Sequence, residues 1–370
     1  MRIGLITNMM DGQSAGIGRY TENLVKNLLL IDKENKYYLI HSNKKSYKFK
    51  GNYQEIKLPF FDSIPKKLIT GTFLFEKICR DYKLDILHDL GQISPFFFKS
   101  KTKKVLTIFD LTPILFPQFF IKLTNFYTKL FPAVLKNTDH VITISENSKN
   151  DIRKIFKTPK EKITVTHLGI DGKFKPIKDK EYLEKMRKKY NLPERFILFV
   201  GTIEPRKNLP LLFSAFAKIK NNFGVKLVIV GKMGWKYKPI LKILDKLDVK
   251  KDVIFTDFIK DDHLPVIYNL ADAFAYPSFY EGFGLPILEA LACGCPVIAS
   301  EFIPLPQNLK KYCFLINPKD ELTLKRTIEK LFADVKSTAL LAKKGHKVAQ
   351  EYDWIKCSHK TLNIYNALYD

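Results

Sequence analysis

Short apolar runs that favour β-strands alternate along this sequence with longer stretches of helical periodicity, and the whole pattern occurs twice. The runs are nearly continuous in Val, Ile, Leu and Phe, which is typical of strands covered on both faces. Strands that alternate with helices in this way form parallel, doubly wound sheets. The sequence therefore predicts an α/β protein with two such sheets.

The predicted strands divide into two groups. In the first half of the chain they are Arg2–Thr7, Tyr37–His41, Ile56–Pro59, Ile86–His88, Val105–Phe109, Val141–Ile144 and Ile163–His167. In the second half they are Phe196–Gly201, Lys226–Gly231, Val253–Phe258, Ala273–Pro277, Pro296–Ser300 and Cys313–Asn317. Between the groups, Gly169–Lys189 carries Gly172, Pro176 and mostly charged residues, so we expect a linker followed by a short helix.

The length of the chain also favours two domains. At 370 residues it exceeds what one hydrophobic core usually supports, so two domains of roughly 150–200 residues are expected. We place the domains at residues 1–172 and 173–352. Residues 353–370 have helical spacing of apolar side chains, and we expect this helix to cross back and pack on the first domain.

The chain is strongly basic. Its 62 Lys and Arg residues against 38 Asp and Glu residues give a formal net charge of +24. This charge favours anionic partners such as nucleotides, nucleic acid or an acidic membrane surface, although a lysine-rich composition explains the excess equally well. No aromatic-basic RNA module or recognition helix is evident, so we expect no nucleic-acid partner.

Cysteine content and hydropathy bear on the compartment. Five Cys residues, an odd number without the spacing of a disulfide or zinc scaffold, indicate free thiols. No run of about 18 apolar residues predicts a transmembrane helix, and the opening residues MRIGLIT lead into a strand pattern rather than a signal peptide. We expect a cytoplasmic protein, and the charge leaves open a peripheral association with the inner face of the membrane.

A glycine-containing turn follows the first predicted strand. Within Asp11–Tyr20, Gly16 and Gly18 let the backbone approach a ligand where a helix begins, and the first N–H groups of a helix favour phosphate. The segment lacks the full G-x-G-x-x-G fingerprint and the acidic residue expected after it. A tight strand-to-helix turn without a ligand is the alternative.

The second candidate follows the opening strand of the second domain. The segment Gly201–Asn208 (GTIEPRKN) carries Arg206 and Lys207 at the carboxyl end of a strand, where ligands of open α/β sheets bind. Arg holds phosphate bidentately and Lys supplies a compact charge, so the pair indicates a diphosphate site. A solvated pair of loop cations is the alternative.

The third candidate is the most specific. In Pro277–Ala290 (PSFYEGFGLPILEA), Glu281 precedes two glycines in a loop, and Glu289 lies about one turn inside the helix that follows. Carboxylates accept hydrogen bonds from sugar hydroxyls, and the backbone amides of such a turn bind phosphate oxygens. Helix capping would explain one glutamate but not the whole arrangement.

Together these motifs resemble the family 4 retaining glycosyltransferases of the GT-B fold. The matching segments are GIGRY, ISENSKNDI, HLGIDGKF, FVGTIEPRKNL, LVIVGK, YNLADA and PSFYEGFGLPILEALACGCPVIAS, which together extend over nearly the whole chain. The resemblance implies two facing Rossmann-like domains with a cleft between them. It extends to bacterial mannosyltransferases that build cell-surface polysaccharides from GDP-mannose.

The resemblance also implies residue roles. Arg206, Lys207 and Glu281 would be catalytic: the two cations would hold the diphosphate, and the carboxylate would contact the hexose hydroxyls. Glu289 would bind the ribose hydroxyls. The other residues predicted to contact the substrate are Gly16, Gly18, His88, Phe109, Asp110, Gly201, Ile259, Gly282, Phe283, Gly284 and Leu285. The first domain would bind the acceptor and the second the donor, with no cofactor and no metal.

Two departures from the family pattern bear on the donor sugar. Relatives usually carry T-x-His-Asp after the strand at Val105, where this chain has Phe109 followed by Asp110. Loss of that histidine leaves three explanations open: a different sugar such as a 6-deoxyhexose, a substitute such as His88, or weak activity. Gln307 stands where relatives usually have Glu, with no catalytic consequence expected.

The predicted function is transfer of a hexose, mannose or a related sugar, from a GDP-sugar to a growing, lipid-linked glycan. The run Phe96–Phe98 beside Lys99, Lys101, Lys103 and Lys104 could contact anionic lipid, or its aromatics could belong to the core. The alternative functions are a GT-B nucleotide-sugar epimerase and a degenerate, non-catalytic homologue that binds the nucleotide sugar.

Overall fold

The computed structural model describes residues 1–11, 16–42, 46–58, 64–120, 122–256 and 259–370. These residues form two compact units. Unit 1 comprises Met1–Pro117, Ile121–Gly169 and Asp353–Asp370, and unit 2 comprises Gln118–Phe120 and Ile170–Tyr352. Most of unit 2 is therefore one continuous segment inserted between two parts of unit 1. The limits predicted from the sequence lie at residues 172 and 352.

The described strands are, in chain order, β1 (Arg2–Ile6), β2 (Lys36–His41), β3 (Tyr53–Lys57), β4 (Ile86–Asp89), β5 (Lys103–Ile108), β6 (His140–Thr143), β7 (Ile163–Val165), β8 (Phe196–Val200), β9 (Lys226–Val230), β10 (Val253–Thr256), β11 (Ala273–Tyr276), β12 (Val297–Ser300) and β13 (Phe314–Ile316). The first seven belong to unit 1 and the last six to unit 2.

The described α-helices are α1 (Gly16–Ile31), α2 (Ile64–Asp81), α3 (Thr112–Leu115), α4 (Lys122–Thr128), α5 (Phe131–Lys136), α6 (Glu146–Phe156), α7 (Lys180–Lys189), α8 (Leu209–Ala217), α9 (Lys220–Phe223), α10 (Lys238–Lys246), α11 (Leu264–Leu270), α12 (Leu285–Ala292), α13 (Gln307–Lys310), α14 (Glu321–Ala333), α15 (Val335–Ala349) and α16 (Trp354–Tyr369). Short 3₁₀ turns occupy Asn8–Met10, Pro117–Phe119, Lys160–Lys162, Pro205–Lys207, Lys250–Asp252 and Asp261–His263.

Both sheets are parallel and doubly wound. In the described residues the sheet of unit 1 has the order β3-β2-β1-β4-β5-β6-β7, and that of unit 2 has the order β10-β9-β8-β11-β12-β13. In unit 1, for example, β1 lies between β2 and β4, with Ile6 paired to Ile40 and to Asp89. In each sheet the strand order reverses beside the first strand of the unit, and such switch points are where α/β proteins bind ligands. The predicted fold class is confirmed.

Burial explains why the apolar runs became strands. All five residues of β8 are buried, and so are all four residues of β11. Strands with both faces covered need apolar side chains at every position, which removes the alternation expected of a half-exposed strand. Phe96 and Phe98 are also buried in the main core cluster of unit 1, with Phe97 packed against it. This placement favours the core alternative for that aromatic run.

The C-terminal helix α16 belongs to unit 1, where it packs on α1. Its start is fixed by Asp353, whose side chain accepts a hydrogen bond from the Lys356 backbone N–H at 2.7 Å. A Cβ atom on Gly169 would lie 2.2 Å from the backbone nitrogen of Trp354, so only glycine allows the two chain segments to meet. No helix among the described residues has the length and apolarity to cross a membrane.

Candidate active site

The loop after β8 carries the two predicted cations. Pro205–Lys207 form a 3₁₀ turn that ends at Asn208, which has a left-handed φ of 56°. The Asn208 amide nitrogen donates hydrogen bonds to the carbonyl oxygens of Pro277 at 3.2 Å and Pro318 at 2.7 Å. These bonds fix the end of the cationic loop against the neighbouring loop after β11.

The start of this loop depends on a pair of glycines. Gly201 follows β8 with φ 153°, and Gly231 follows β9 with φ 151°. A Cβ atom on Gly231 would lie only 2.0 Å from the carbonyl oxygen of Gly201. The loops after β8 and β9 therefore lie so close together that only glycine fits at position 231.

The loop after β11 carries the predicted glutamate. The Phe279 N–H donates to the carbonyl oxygen of Arg206 at 3.0 Å, so the two loops are joined through their backbones. Gly284 ends this loop at φ 101° as the N-cap of α12, with Pro286 in the first turn of that helix. The glycine-and-proline turn inferred from the sequence is the local structure that brings Glu281 toward the cations.

Arg206 and Lys207 both bind Glu281. One carboxylate oxygen, Oε2, lies 2.7 Å from Arg206 Nη1, and the other, Oε1, lies 2.7 Å from Lys207 Nζ. Arg206 Nη1 also donates to the Tyr280 carbonyl oxygen at 2.9 Å. Glu281 is thus in direct contact with both of the other residues that were predicted to be catalytic.

Two further residues complete this buried network. Glu204 Oε1 accepts hydrogen bonds from Arg206 Nη2 at 2.7 Å and from Arg206 Nε at 3.1 Å. Lys207 Nζ donates to the Tyr276 hydroxyl at 2.6 Å and lies 4.9 Å from the centre of that ring. With two cations and two carboxylates, the network is formally neutral without a ligand.

Burial and charge set the protonation states of this network. Burial acts to raise the pKa of Glu281, but Arg206 and Lys207 outweigh it and lower this pKa to about 2. Burial, reinforced by the neighbouring Arg206, lowers the pKa of Lys207, while Glu281 and Glu204 oppose that shift. Burial raises the pKa of Glu204 despite the nearby cations. Glu281 is therefore an anion at neutral pH.

Glu289 occupies the predicted place in α12, eight positions after Glu281. Its side chain is buried, and Oε2 accepts a hydrogen bond from the Tyr268 hydroxyl at 3.0 Å. Tyr268 is itself fully buried on α11. The second carboxylate of the motif is thus held by an aromatic hydroxyl.

The remaining predicted residues of unit 2 surround these loops. Gly282, Phe283 and Gly284 are buried, and Leu285 is half-buried as the first residue of α12. Ile259 is buried, but the preceding residues 257 and 258, the end of the predicted strand Val253–Phe258, lie outside the described residues.

The predicted glycines of unit 1 lie at the start of α1. Gly16 is its exposed first residue, where a Cβ atom would meet no described atom within 4 Å beyond its chain neighbours and its own helix backbone. Gly18 is buried two positions later. Residues 12–15 of the predicted phosphate-binding turn lie outside the described residues.

His88 lies in the interior of unit 1 with no exposed surface. Its Nδ1 lies 2.5 Å from the Tyr365 hydroxyl, and its Nε2 lies 2.8 Å from Thr107 Oγ1. Both ring nitrogens therefore have partners inside the unit, and burial lowers the pKa of His88 to about 3. These contacts favour a structural histidine over a substitute ligand for the sugar.

Phe109 and Asp110 follow β5. The Phe109 ring is buried and packs edge-on against Tyr20, with 4.9 Å between the ring centres. Asp110 Oδ1 accepts a hydrogen bond from the Thr112 backbone N–H at 2.9 Å, which stabilises the start of α3. Gln307, the other departure from the family pattern, is exposed at the start of α13.

Sequence reasoning did not select Glu204, Tyr276 or Tyr268. Glu204 stands inside the motif EPRKN, two residues before Arg206. A glutamate so close to a predicted phosphate-binding arginine could have been predicted to bind and orient it. Tyr276 and Tyr268 are far in sequence from the residues that they bind, so sequence spacing does not predict these contacts.

Among the described residues, no group of three or more His, Cys, Asp or Glu side chains could hold a metal ion.

Comparison with known families agrees with this geometry. Residues 183–348 match the family profile described as Glycosyl transferases group 1. Residues 14–174 match the profile described as Glycosyltransferase Family 4. The chain belongs to the family 4 glycosyltransferases. The first profile contains the whole network of Glu204, Arg206, Lys207, Tyr276 and Glu281.

Curated relatives of this glycosyltransferase include two bacterial proteins. The O-antigen chain mannosyltransferase B of Escherichia coli is 26% identical over 386 aligned positions, which cover 100% of each chain. The O-antigen chain mannosyltransferase RfbU of Salmonella typhimurium is 28% identical over 228 residues, covering 62% of this chain and 60% of that protein.

Solved structures share the fold of this glycosyltransferase. A sucrose-phosphate synthase from Thermosynechococcus elongatus superposes with a TM-score of 0.81 at 22% identity, covering 100% of this chain and 99% of that one. Anabaena HepE, solved in complex with UDP and glucose, superposes with a TM-score of 0.77 at 19% identity and 99% coverage of both chains. Both likenesses concern the fold alone.

Proposed function

We propose that this glycosyltransferase transfers a hexose, mannose or a related sugar, from a GDP-sugar to a growing cell-surface glycan with retention of anomeric configuration. The observation that carries the proposal is the buried contact of Glu281 with Arg206 and Lys207, at the carboxyl ends of parallel strands. The mannosyltransferase relatives of Escherichia coli and Salmonella support the choice of sugar and product.

In this proposal the two cations bind the donor diphosphate. A guanidinium and an ammonium side by side match two linked phosphates, and they stabilise the negative charge that develops on the leaving group. Because Glu204 and Tyr276 hold the cations in place beforehand, little reorganisation is needed during the reaction. The same two cations supply the charge that a metal ion supplies in other transferases, so we propose transfer without metal or cofactor.

Glu281 is proposed to contact the hexose. An ionised carboxylate offers about four acceptor positions, and the contacts with Arg206 and Lys207 leave acceptor capacity for sugar hydroxyls. The low pKa of Glu281 keeps it ionised throughout the neutral range. By the same reasoning Glu289, held by Tyr268, is proposed to accept hydrogen bonds from the ribose hydroxyls.

The donor sugar is the finer part of the proposal. The Phe109 side chain offers no polar atom where relatives usually have His, and a 6-deoxyhexose would tolerate an apolar neighbour better than mannose would. A screen of thermal stability with GDP-, UDP- and dTDP-sugars would decide the base, because a ligand that binds the folded state raises the melting temperature. We expect the largest shift with a GDP-sugar.

Transfer assays test the proposal directly. With a GDP-sugar and a glycan acceptor, the wild-type protein should release GDP and extend the acceptor with an α-configured product when the donor is α-linked. Glu281→Ala and Lys207→Ala should each reduce the rate by about a hundredfold or more. Transfer at the wild-type rate in either variant would reject the site, and a new sugar formed from the donor without acceptor would indicate an epimerase.

A lipid-linked acceptor and contact with anionic lipid are also proposed. Lys99, Lys101 and Lys103 are exposed in unit 1, whereas the neighbouring Phe96 and Phe98 are buried. The attraction would therefore come from lysine charge rather than from inserted aromatic rings, and added salt should weaken it.

Vesicle sedimentation tests the lipid contact. A Lys99/Lys101/Lys103→Gln variant should bind vesicles of anionic phospholipid less than the wild type does. A matched variant, Lys180/Lys185/Lys188→Gln, changes the charge equally on an exposed face of α7 in unit 2. Equal binding by the two variants would reject a specific role for the lysines of unit 1.

A further inference from the structure

Three residues from the first half of the chain, Gln118–Phe120, belong to unit 2, and we call this segment the strap. All three of its carbonyl oxygens accept hydrogen bonds from unit 2. Trp235 Nε1 donates to the central carbonyl at 2.5 Å, and Lys236 Nζ donates to the first at 2.7 Å and to the last at 3.2 Å. The backbone of the strap is therefore held independently of its side chains.

The turn that holds the strap is fixed to the cationic loop. Gly234 N–H donates to the Ile203 carbonyl oxygen at 3.0 Å, and Met233 forms a β-bridge with the same residue. A Cβ atom on Gly234 would lie 2.6 Å from Thr202 Cγ2. The strap thus binds a turn that is tied closely to the segment leading to Arg206.

The central side chain of the strap reaches the other loop of the site. The Phe119 ring stacks on Phe279, with 5.5 Å between ring centres and 17° between ring planes. Phe279 binds the Arg206 carbonyl through its backbone N–H and lies two residues before Glu281. The strap therefore contacts the loop of Glu281 directly, through the Phe119 ring. It is joined to the cationic loop only indirectly, through the turn that carries Trp235 and Lys236.

We infer that Phe119 is a positioning residue for Glu281. Its ring covers one face of Phe279 and limits the movement of the segment Phe279–Glu281, adding to the restraint of the backbone bond between Phe279 and Arg206. The strap thereby completes the donor site with residues from the other half of the chain. This inference rests on the proposed function of Arg206, Lys207 and Glu281 in donor binding.

Because of where the two rings lie, we expect that the Phe119 ring can be removed without unfolding the protein. Phe119 and Phe279 are both half-buried, so removal of the first ring opens no cavity in the interior of either sheet. The hydrogen bonds from Trp235 and Lys236 use backbone carbonyls of the strap, which persist when the side chain is shortened. Loss of the ring should therefore loosen the loop without detaching the strap.

Steady-state kinetics of the full-length protein test the inference. Phe119→Ala should raise the donor KM and lower kcat so that kcat/KM for the donor falls roughly three- to tenfold, while the acceptor KM stays within about twofold. Phe119→Tyr, which keeps the stacked ring, should restore wild-type kinetics. Phe73→Ala, which removes an aromatic ring that is 76% exposed in unit 1, is the matched control and should change neither KM.

A fluorescence measurement provides a second readout. The chain has two tryptophans, so in a Trp354→Phe background the emission reports Trp235 beside the strap. Titration with GDP should show weaker binding when Phe119→Ala is added to this background. If Phe119→Ala fails to fold, Phe119→Leu keeps most of the volume without a stacking face and should still weaken GDP binding.

The outcomes distinguish a failure of the positioning role of Phe119 from a failure of the proposed sugar transfer. A lower melting temperature with unchanged donor kinetics and unchanged GDP affinity would show a purely structural ring and overturn the inference. If the wild-type protein transferred no sugar and bound no nucleotide, the proposed function would fail and the inference with it. If the transfer rate fell in Glu281→Ala but donor kinetics and GDP affinity were unchanged in Phe119→Ala, only the inference would be rejected.

Discussion

Glu204 holds Arg206 by two hydrogen bonds, from Nη2 at 2.7 Å and from Nε at 3.1 Å, both to the same carboxylate oxygen. The guanidinium is thereby oriented with Nη1 toward Glu281, at 2.7 Å. Glu204 is buried, and it stands on the same loop as both cations. Glu204, which orients Arg206, is therefore as much a part of the site as Glu281, toward which Arg206 is oriented.

Removal of the Glu204 carboxylate should impair transfer without removing any proposed donor contact. Glu204→Ala frees Arg206 to turn toward other acceptors, so we expect kcat/KM for the donor to fall roughly 10- to 100-fold in initial-rate assays. Glu194→Gln changes an exposed glutamate nearby in sequence and should leave the rate unchanged. Wild-type kinetics for Glu204→Ala would contradict the orienting role.

Glu281 should make the protein more sensitive to acid. Its pKa falls from 4.5 to about 2 on folding, since the two cations outweigh burial. A lowered carboxyl pKa contributes stability that is complete above about pH 4.5 and is lost as the pH falls toward 2. The melting temperature of the wild type should therefore drop more steeply between these values than that of Glu281→Gln. Parallel pH curves for the two proteins would count against the charge network.

His88 should affect stability rather than donor binding. His88→Ala removes two buried hydrogen bonds and leaves the Tyr365 and Thr107 hydroxyls without that partner, a loss of about 2–4 kcal/mol in the free energy of unfolding. The donor KM should stay within about twofold of the wild type. A large increase in donor KM at unchanged melting temperature would instead assign His88 to the substrate.

The same histidine predicts a second pH effect. Its pKa falls from 6.5 to about 3 on folding, because burial disfavours the imidazolium. For a base with a lowered pKa the stability is complete above about pH 6.5 and declines as the pH falls, since the unfolded chain binds the proton first. Melting temperatures measured from pH 7 to pH 4 should decline less in His88→Ala than in the wild type.

Gly231 should tolerate no side chain. Gly231→Ala would place a methyl group 2.0 Å from the Gly201 carbonyl oxygen at a left-handed φ of 151°, so the cationic loop would have to move. We expect a lower melting temperature and a loss of transfer of about tenfold or more. Gly172→Ala is the control, because no atom lies within 4 Å of its Cβ position. Similar behaviour of the two variants would refute the steric argument.

The two-sheet fold was predictable because its strands are covered on both faces. Continuous apolar runs marked β8 and β11 within a residue of their ends. The start of β5 was missed, since the strand begins at Lys103 and Lys104, whose charge argued against a strand. Lys104 is nevertheless buried, with Nζ donating to the Phe98 carbonyl oxygen at 2.6 Å. Pairing with β4 fixes this strand end, and such pairing is not visible in local sequence.

The candidate site was only partly readable for a similar reason. Arg206, Lys207 and Glu281 stand in short motifs whose residue types suit phosphate and sugar. Tyr276 and the strap bind these loops across long sequence separations, so no spacing rule reveals them. The run Phe96–Phe98 beside lysines suggested a lipid surface, yet its outer two rings lie in the core.

The Ile170 N–H donates to the Tyr352 carbonyl oxygen at 2.8 Å, so the two ends of the long inserted segment of unit 2 abut. A gene encoding residues 170–352 alone would produce a polypeptide whose termini are already neighbours, suited to cyclisation or to grafting into another host protein. Of unit 2 it would lack only the three residues of the strap. If the strap were supplied as a separate tripeptide, its intramolecular contacts would become a binding equilibrium whose affinity can be measured.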